Sequence, residues 1–192
     1  MTAQPGHIFY NWLLLNWSRA GLVSAIILLA ISPLLITVLD ITFWTFLQLP
    51  IYMIHQYEEH AHGAFKKFIN GMMGEGSITD KDILVINLGY VWLLTLICSY
   101  LSLFWSPFFG LIPIYLVVIN GLIHVANTVK LRAYNPGLWT SLALFLPVGG
   151  LSLVMVTSFS PLTWTHHLFA IAIVMALHAE LVIRIKQKRH YF

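Results

Sequence analysis

"AGLVSAIILLAISPLLITVL" (residues 20–39) runs for twenty positions without a charged side chain. A helix of about 20 apolar residues spans the hydrocarbon of a bilayer, so this stretch reads as a membrane crossing. The rest of the chain agrees. It has 192 residues, 59% of them hydrophobic and only 9% charged, with a mean hydropathy of +0.82. Soluble domains carry about 25% charged residues. The expected class is therefore an all-α polytopic membrane bundle, one domain over residues 1–192, with the bilayer as its first partner.

Working outward, residues 1–18 read as an interfacial N-terminal segment, with Tyr10, Trp12 and Trp17 at headgroup depth. No basic, apolar and small-residue leader pattern is recognisable there. Six spans are expected, at about 20–39, 42–64, 83–105, 108–130, 138–158 and 162–185. The second is bent at Pro50. Residues 66–82, "KKFINGMMGEGSITDKD", read as the longest loop, in which Ser77 or Thr79 caps the next helix and Asp80 and Asp82 favour its N-terminus. This layout puts all ten lysines and arginines on one side, from Arg19 through Lys66, Lys67, Lys81, Lys130, Arg132 and Arg184 to Arg189. By the positive-inside rule that side is the cytoplasm, with both termini on it. The other side carries Asp40, His166 and His167. The expected location is the bacterial inner (plasma) membrane. No basic face with interleaved aromatics is present, so no nucleic-acid partner is expected. The single cysteine, Cys98, can form no internal disulfide.

The scarce charges gather in "HQYEEHAH" (55–62). Ionisable residues within a span are costly and mark functional sites. On a straight helix His55, Glu58, Glu59 and His62 fall within about 60° of His55, and His60 about 140° away. "NGLIHVAN" puts Asn120, His124 and Asn127 on one face of the fourth span. His178 stands at a similar depth in the sixth, and Glu180 pairs with Arg184 outside the cluster. The three helices run the same way, so these groups converge on one polar site open toward the cytoplasm.

"HQYEE" (55–59), with the later blocks "NGLIH" (120–124) and "YNPGLWT" (134–140), resembles the HXXEE family of small integral membrane proteins over roughly residues 50–180. The resemblance implies a membrane protein with enzymatic activity and supplies no substrate.

The residues themselves support several chemistries. Ligands at i and i+4 beside a glutamate resemble zinc-hydrolase spacing. His55, Glu59, His124 and His178 are then the candidate ligands of a divalent metal, zinc before iron, with one histidine displaced to allow water an open position. Glu58 is the candidate base. Asn120 and Asn127 would stabilise an oxyanion, and Tyr134 would donate to the same group. A non-haem iron oxidoreductase of lipids, a metal-free acid–base isomerase using Glu58 and Glu59, and a proton-coupled transporter are the alternatives. The depth of the site points to a small amphipathic or lipid-like substrate. Oligomeric state is left open.

Overall fold

The computed structural model describes residues 5–188, and Arg189, counted above among the basic residues, lies outside them. Besides a 3-10 turn at Ala61–Gly63, the described residues form eight helical stretches. They are α1 (Pro5–Leu35), α2 (Ile41–Phe46), α3 (Gln48–His60), α4 (Ala64–Met73), α5 (Asp80–Phe104), α6 (Phe108–Leu131), α7 (Leu138–Ser158) and α8 (Trp164–Lys188). Five of these, α1 and α5 to α8, contain segments long and apolar enough to cross a membrane. Large apolar side chains such as Leu34, Leu39, Phe104, Trp105 and Trp164 point outward. A surface of that kind suits lipid and not water.

The expected count of six spans is not reproduced as six long helices. Residues 41–60 form two short helices that meet at Leu47. Pro50 is the cause. It has no N–H for the carbonyl of Phe46 and its ring crowds that carbonyl, so the helix must restart. Asp40 caps the first piece by accepting from the Thr42 amide at 2.7 Å. The N-terminal segment and first span also differ from expectation, because α1 runs unbroken from Pro5 to Leu35. At 1.5 Å per residue it is about 46 Å long, more than the hydrocarbon requires.

The stretch expected to be a loop carries a further helix, α4. Phe65, Phe68, Ile69, Met72 and Met73 recur at i, i+3, i+4, i+7 and i+8, which gives it one apolar face. The helix ends at Gly74, whose φ of +105° suits glycine. Thr79 then caps α5 as expected, in a reciprocal capping box with Asp82.

The helices surround α3. Ten of its thirteen residues are buried, His55 and Gln56 completely. It packs on α1, α6 and α7, beside an apolar core that includes Leu111, Ile114, Val117 and Phe145. Its polar flank is held by a chain of bonds. The Trp92 indole donates to Gln56 Oε1 at 2.6 Å, and Gln56 Nε2 donates to Asn87 Oδ1 at 2.6 Å. Asn87 and Trp92 both reach Gln56 because Ile86–Leu93 is wound as a π-helix, whose hydrogen bonds join residues five apart.

Helix α6 approaches α2 and α5 at Gly110. A Cβ there would stand 2.5 Å from Thr45 Oγ1 and 2.9 Å from Ser102 Oγ. Gly110→Val is therefore expected to destabilise the bundle by about 1–3 kcal/mol, read as a lower unfolding midpoint of the purified protein in detergent. An unchanged midpoint would contradict this packing.

Candidate metal centre

Glu59 is the hub of the site. It is one helical turn beyond His55 on α3, which brings its Oε2 to 3.7 Å from His55 Nε2. Its Oε1 lies 3.6 Å from His124 Nε2 on α6, and His60 Nε2 lies 3.1 Å from Oε2. All four side chains are buried. His55, Glu59 and His124 offer one ligand atom each, all within 4.8 Å of one another. Two ligands about 2.1 Å from a tetrahedral ion stand about 3.4 Å apart, close to the observed carboxylate–imidazole separations.

Packing fixes the rings. His55 stacks on Phe145 at 4.1 Å and meets His124 edge-on at 4.8 Å. Gly137, at φ +96°, presses its backbone against both. A Cβ there would lie 2.6 Å from His55 Cε1 and 2.8 Å from His124 Cε1. His124 Nδ1 is buried with no hydrogen-bond partner. Asn135 Nδ2 donates to the carbonyl of His124 at 3.4 Å.

Glu58 has another task than the one expected of it. Its Oε1 accepts from the Tyr134 hydroxyl at 2.7 Å and from the Trp139 amide at 3.1 Å. Its Oε2 accepts from the Thr140 amide at 2.7 Å and hydroxyl at 2.5 Å. Trp139 and Thr140 are the second and third residues of α7, so a carboxylate of α3 caps the start of α7. Both oxygens are engaged, which argues against the expected role of general base. The Tyr134 hydroxyl is likewise spent on Glu58. Burial and that carboxylate push its pKa up to about 12, so it stays a phenol donor at neutral pH.

The two outlying histidines of the cluster exchange places relative to expectation. His62 is exposed in a turn at φ +57°, because the helix ends at His60 instead of running to residue 64. His60, expected to point away, is buried between Trp17 and Phe65, each 5.0 Å away by ring centroids. Its face of α3 is covered by α1 and α4, which a single-helix projection does not contain. His178 remains apart from the group of three. Its Nδ1 donates to the Val174 carbonyl at 2.9 Å, leaving Nε2 without that proton. Glu180 pairs with Arg184 as expected.

A cavity of about 570 Å³ opens beside the cluster. Glu59, His60, His124, Asn120, Asn127 and Asn135 form its polar end, while His55 lies behind them, fully buried. Phe68, Ile69 and Met72 of α4, Ile86 of α5 and Leu177 and Leu181 of α8 make the apolar wall. His178 lines the same space, and Lys81 and Arg184 stand at its charged rim. Asn135, Gly137 and Thr140 carry no charge or metal-ligand pattern that singles them out in the sequence. Their only signal there was membership of the "YNPGLWT" block.

A family described as "Protein of unknown function with HXXEE motif" matches residues 46–152. The match covers more than half of the chain, which belongs to this family. No curated protein and no solved structure matches.

Gly137→Ala is expected to cost about 1–3 kcal/mol, since it strains a positive-φ position and pushes both imidazoles aside. Thermal unfolding checks the cost. His55 and His124 side-chain NMR signals that do not move would contradict the contact.

Proposed function

We propose that this member of the HXXEE family is an integral membrane metalloenzyme. His55, Glu59 and His124 hold a divalent cation, zinc before iron, and the protein hydrolyses an amphipathic or lipid-like molecule lodged in the cavity. One observation carries the reading: a buried carboxylate faces two imidazoles at cation-bridging distances, beside an amphipathic cavity. The residues fit a cation in two ways. Glu59 Oε2 and His55 Nε2 stand 3.7 Å apart, and Glu59 Oε1 and His124 Nε2 3.6 Å apart, longer than direct hydrogen bonds and close to the spacing of two ligands on one ion. Two histidines and one glutamate are also a known catalytic zinc set.

When bound, a cation there polarises a carbonyl or phosphoryl oxygen and lowers the pKa of water. The chain's own groups do the rest. Glu59 neutralises the cation and orients water. His60, on the cavity wall with its Nε2 3.1 Å from Glu59 Oε2 and 3.3 Å from Asn87 Nδ2, replaces Glu58 as the group that, by way of the Glu59 carboxylate, takes the proton from water and returns it to the leaving oxygen. Asn120 and Asn127 present amide N–H groups to the developing oxyanion. His178 faces the substrate, not the cation. The volume lies within the range of about 300–1,000 Å³ typical of small-molecule sites.

In this reading α2 and α3 together make the second span, about 30 Å long over twenty residues, and both termini are cytoplasmic. The two-histidine, one-carboxylate set is also that of non-haem iron oxygenases, and Glu58's engagement removes the base that zinc peptidases use. Iron oxidation chemistry is therefore the second reading.

Elemental analysis of protein purified without added metal tests the proposal. About one zinc per chain is expected, lost in His55→Ala and Glu59→Ala and retained in His60→Ala. Iron in place of zinc would transfer the assignment to the oxidoreductase. Folded protein that is metal-free, and that takes up no zinc on titration, would overturn both readings.

A further inference from the structure

We infer that Glu58 and Thr140 act together to fix the tautomer of His55, placing its proton on Nδ1 and its lone pair on Nε2, toward Glu59. Glu58 and Thr140 are then positioning residues, and the first glutamate of the motif serves the ligand three residues before it. The inference rests on the cation reading for its purpose but not for its evidence.

The Thr140 hydroxyl lies 2.5 Å from Glu58 Oε2 and 2.8 Å from His55 Nδ1. It owns one hydrogen and so donates to only one neighbour, and the Gly137 carbonyl, a further acceptor, stands farther off at 3.3 Å. Glu58 already accepts from two backbone amides and the Tyr134 hydroxyl. It is surrounded by donors and acts as a pure acceptor. The short O–H···O contact is typical of a charge-assisted bond. Thr140 therefore gives its proton to Glu58, and His55 Nδ1 must supply the next one. The far side of the ring agrees independently. Asn120 Nδ2 lies 3.4 Å from His55 Nε2, and an amide nitrogen can only donate, so Nε2 is the acceptor.

The tautomer of a histidine follows from the bond its other nitrogen makes. Ligating histidines commonly give their spare N–H to a carboxylate directly, and the groups that accept it raise metal affinity. Here a threonine hydroxyl stands between ring and carboxylate. The same carboxylate caps α7, the helix that carries Thr140. The cap and the relay thus share one anion, which keeps the hydroxyl in register with the ring. Gly137, immediately before α7, lets that helix start come close enough for the relay to close.

Thr140→Val separates the relay from the cap, since it keeps the backbone amide that Glu58 accepts and removes the hydroxyl. Thr140→Ser restores the hydroxyl. Two measurements are made on the full chain in detergent. The first is ¹⁵N NMR of histidine-labelled, cation-free protein, with the His55 signals identified by difference from His55→Gln. The wild-type ring is expected to show a protonated Nδ1 and an unprotonated Nε2. Thr140→Val should lose that pattern and Thr140→Ser regain it. The second is zinc affinity by competition with a chelating dye, expected to fall about 10–100-fold in Thr140→Val and to recover in Thr140→Ser. A proton on Nε2 in the wild-type protein, or a folded Thr140→Val variant with an unchanged ¹⁵N pattern, would overturn the relay. The Nδ1–H pattern in a protein that binds no zinc would uphold the relay and remove the metal reading instead. The first measurement contains no metal, so the two failures are distinguishable.

Discussion

The burial of Glu59 governs the rest of the structure. A carboxylate withdrawn from water into an apolar bundle is too costly unless opposite charge or hydrogen-bond donors meet it. Three imidazoles surround this one, at 3.1, 3.6 and 3.7 Å. Two come from its own helix and one from α6. The helix bearing it must therefore sit at the centre of the bundle, and α1, α6 and α7 have to wrap around it. The polar stretch Gln48–His60 is thereby enclosed by helices long and apolar enough to cross a membrane.

That constraint explains the irregular features nearby. The restart at Leu47, the end of α3 at His60 and the fold-back into α4 make the central segment shorter and more broken than its neighbours. A lipid-facing helix could not leave so many backbone groups to other partners, but one enclosed by protein can. The π-wound turns have a similar logic. One brings Asn87 and Trp92 together onto Gln56, and the other, Ser141–Phe145, lies where Phe145 stacks on His55. Such turns shift the register of one helix face relative to the next, and they recur at functional sites.

The two glutamates of the motif are adjacent in sequence and opposite in role. Glu59 points into the cluster. Glu58 points across to the start of α7 and binds two of its amides. The helix dipole and the free N–H groups there favour an anion. The carboxylate in turn ties residues 134–140 to α3, including the glycine against both imidazoles. The motif and the "YNPGLWT" block are thereby parts of one assembly, although some 80 residues apart in sequence.

Composition and periodicity alone determined an all-helical chain with helices long and apolar enough to cross a membrane, because a long apolar run without breakers favours a helix. They narrowed the cap of α5 to Ser77 or Thr79, of which Thr79 fills the place, because a cap depends on neighbours two or three positions away. They also brought His55, Glu59 and His124 onto converging faces, since helical spacing fixes which side chains share a side. The apolar period of α4 is present in the sequence, but the charges and glycines around it make the stretch read as a loop. Tertiary structure alone decided the rest. A helical projection places His60 outside the cluster because it contains no α1 or α4 to cover that face. It makes Glu58 a free base because it contains no α7 whose amides claim both oxygens. It keeps His62 in line because it assumes a helix that the chain ends at His60. Sequence spacing fixes the direction of a side chain within its own helix, whereas its protons and partners belong to whichever helix packs against it.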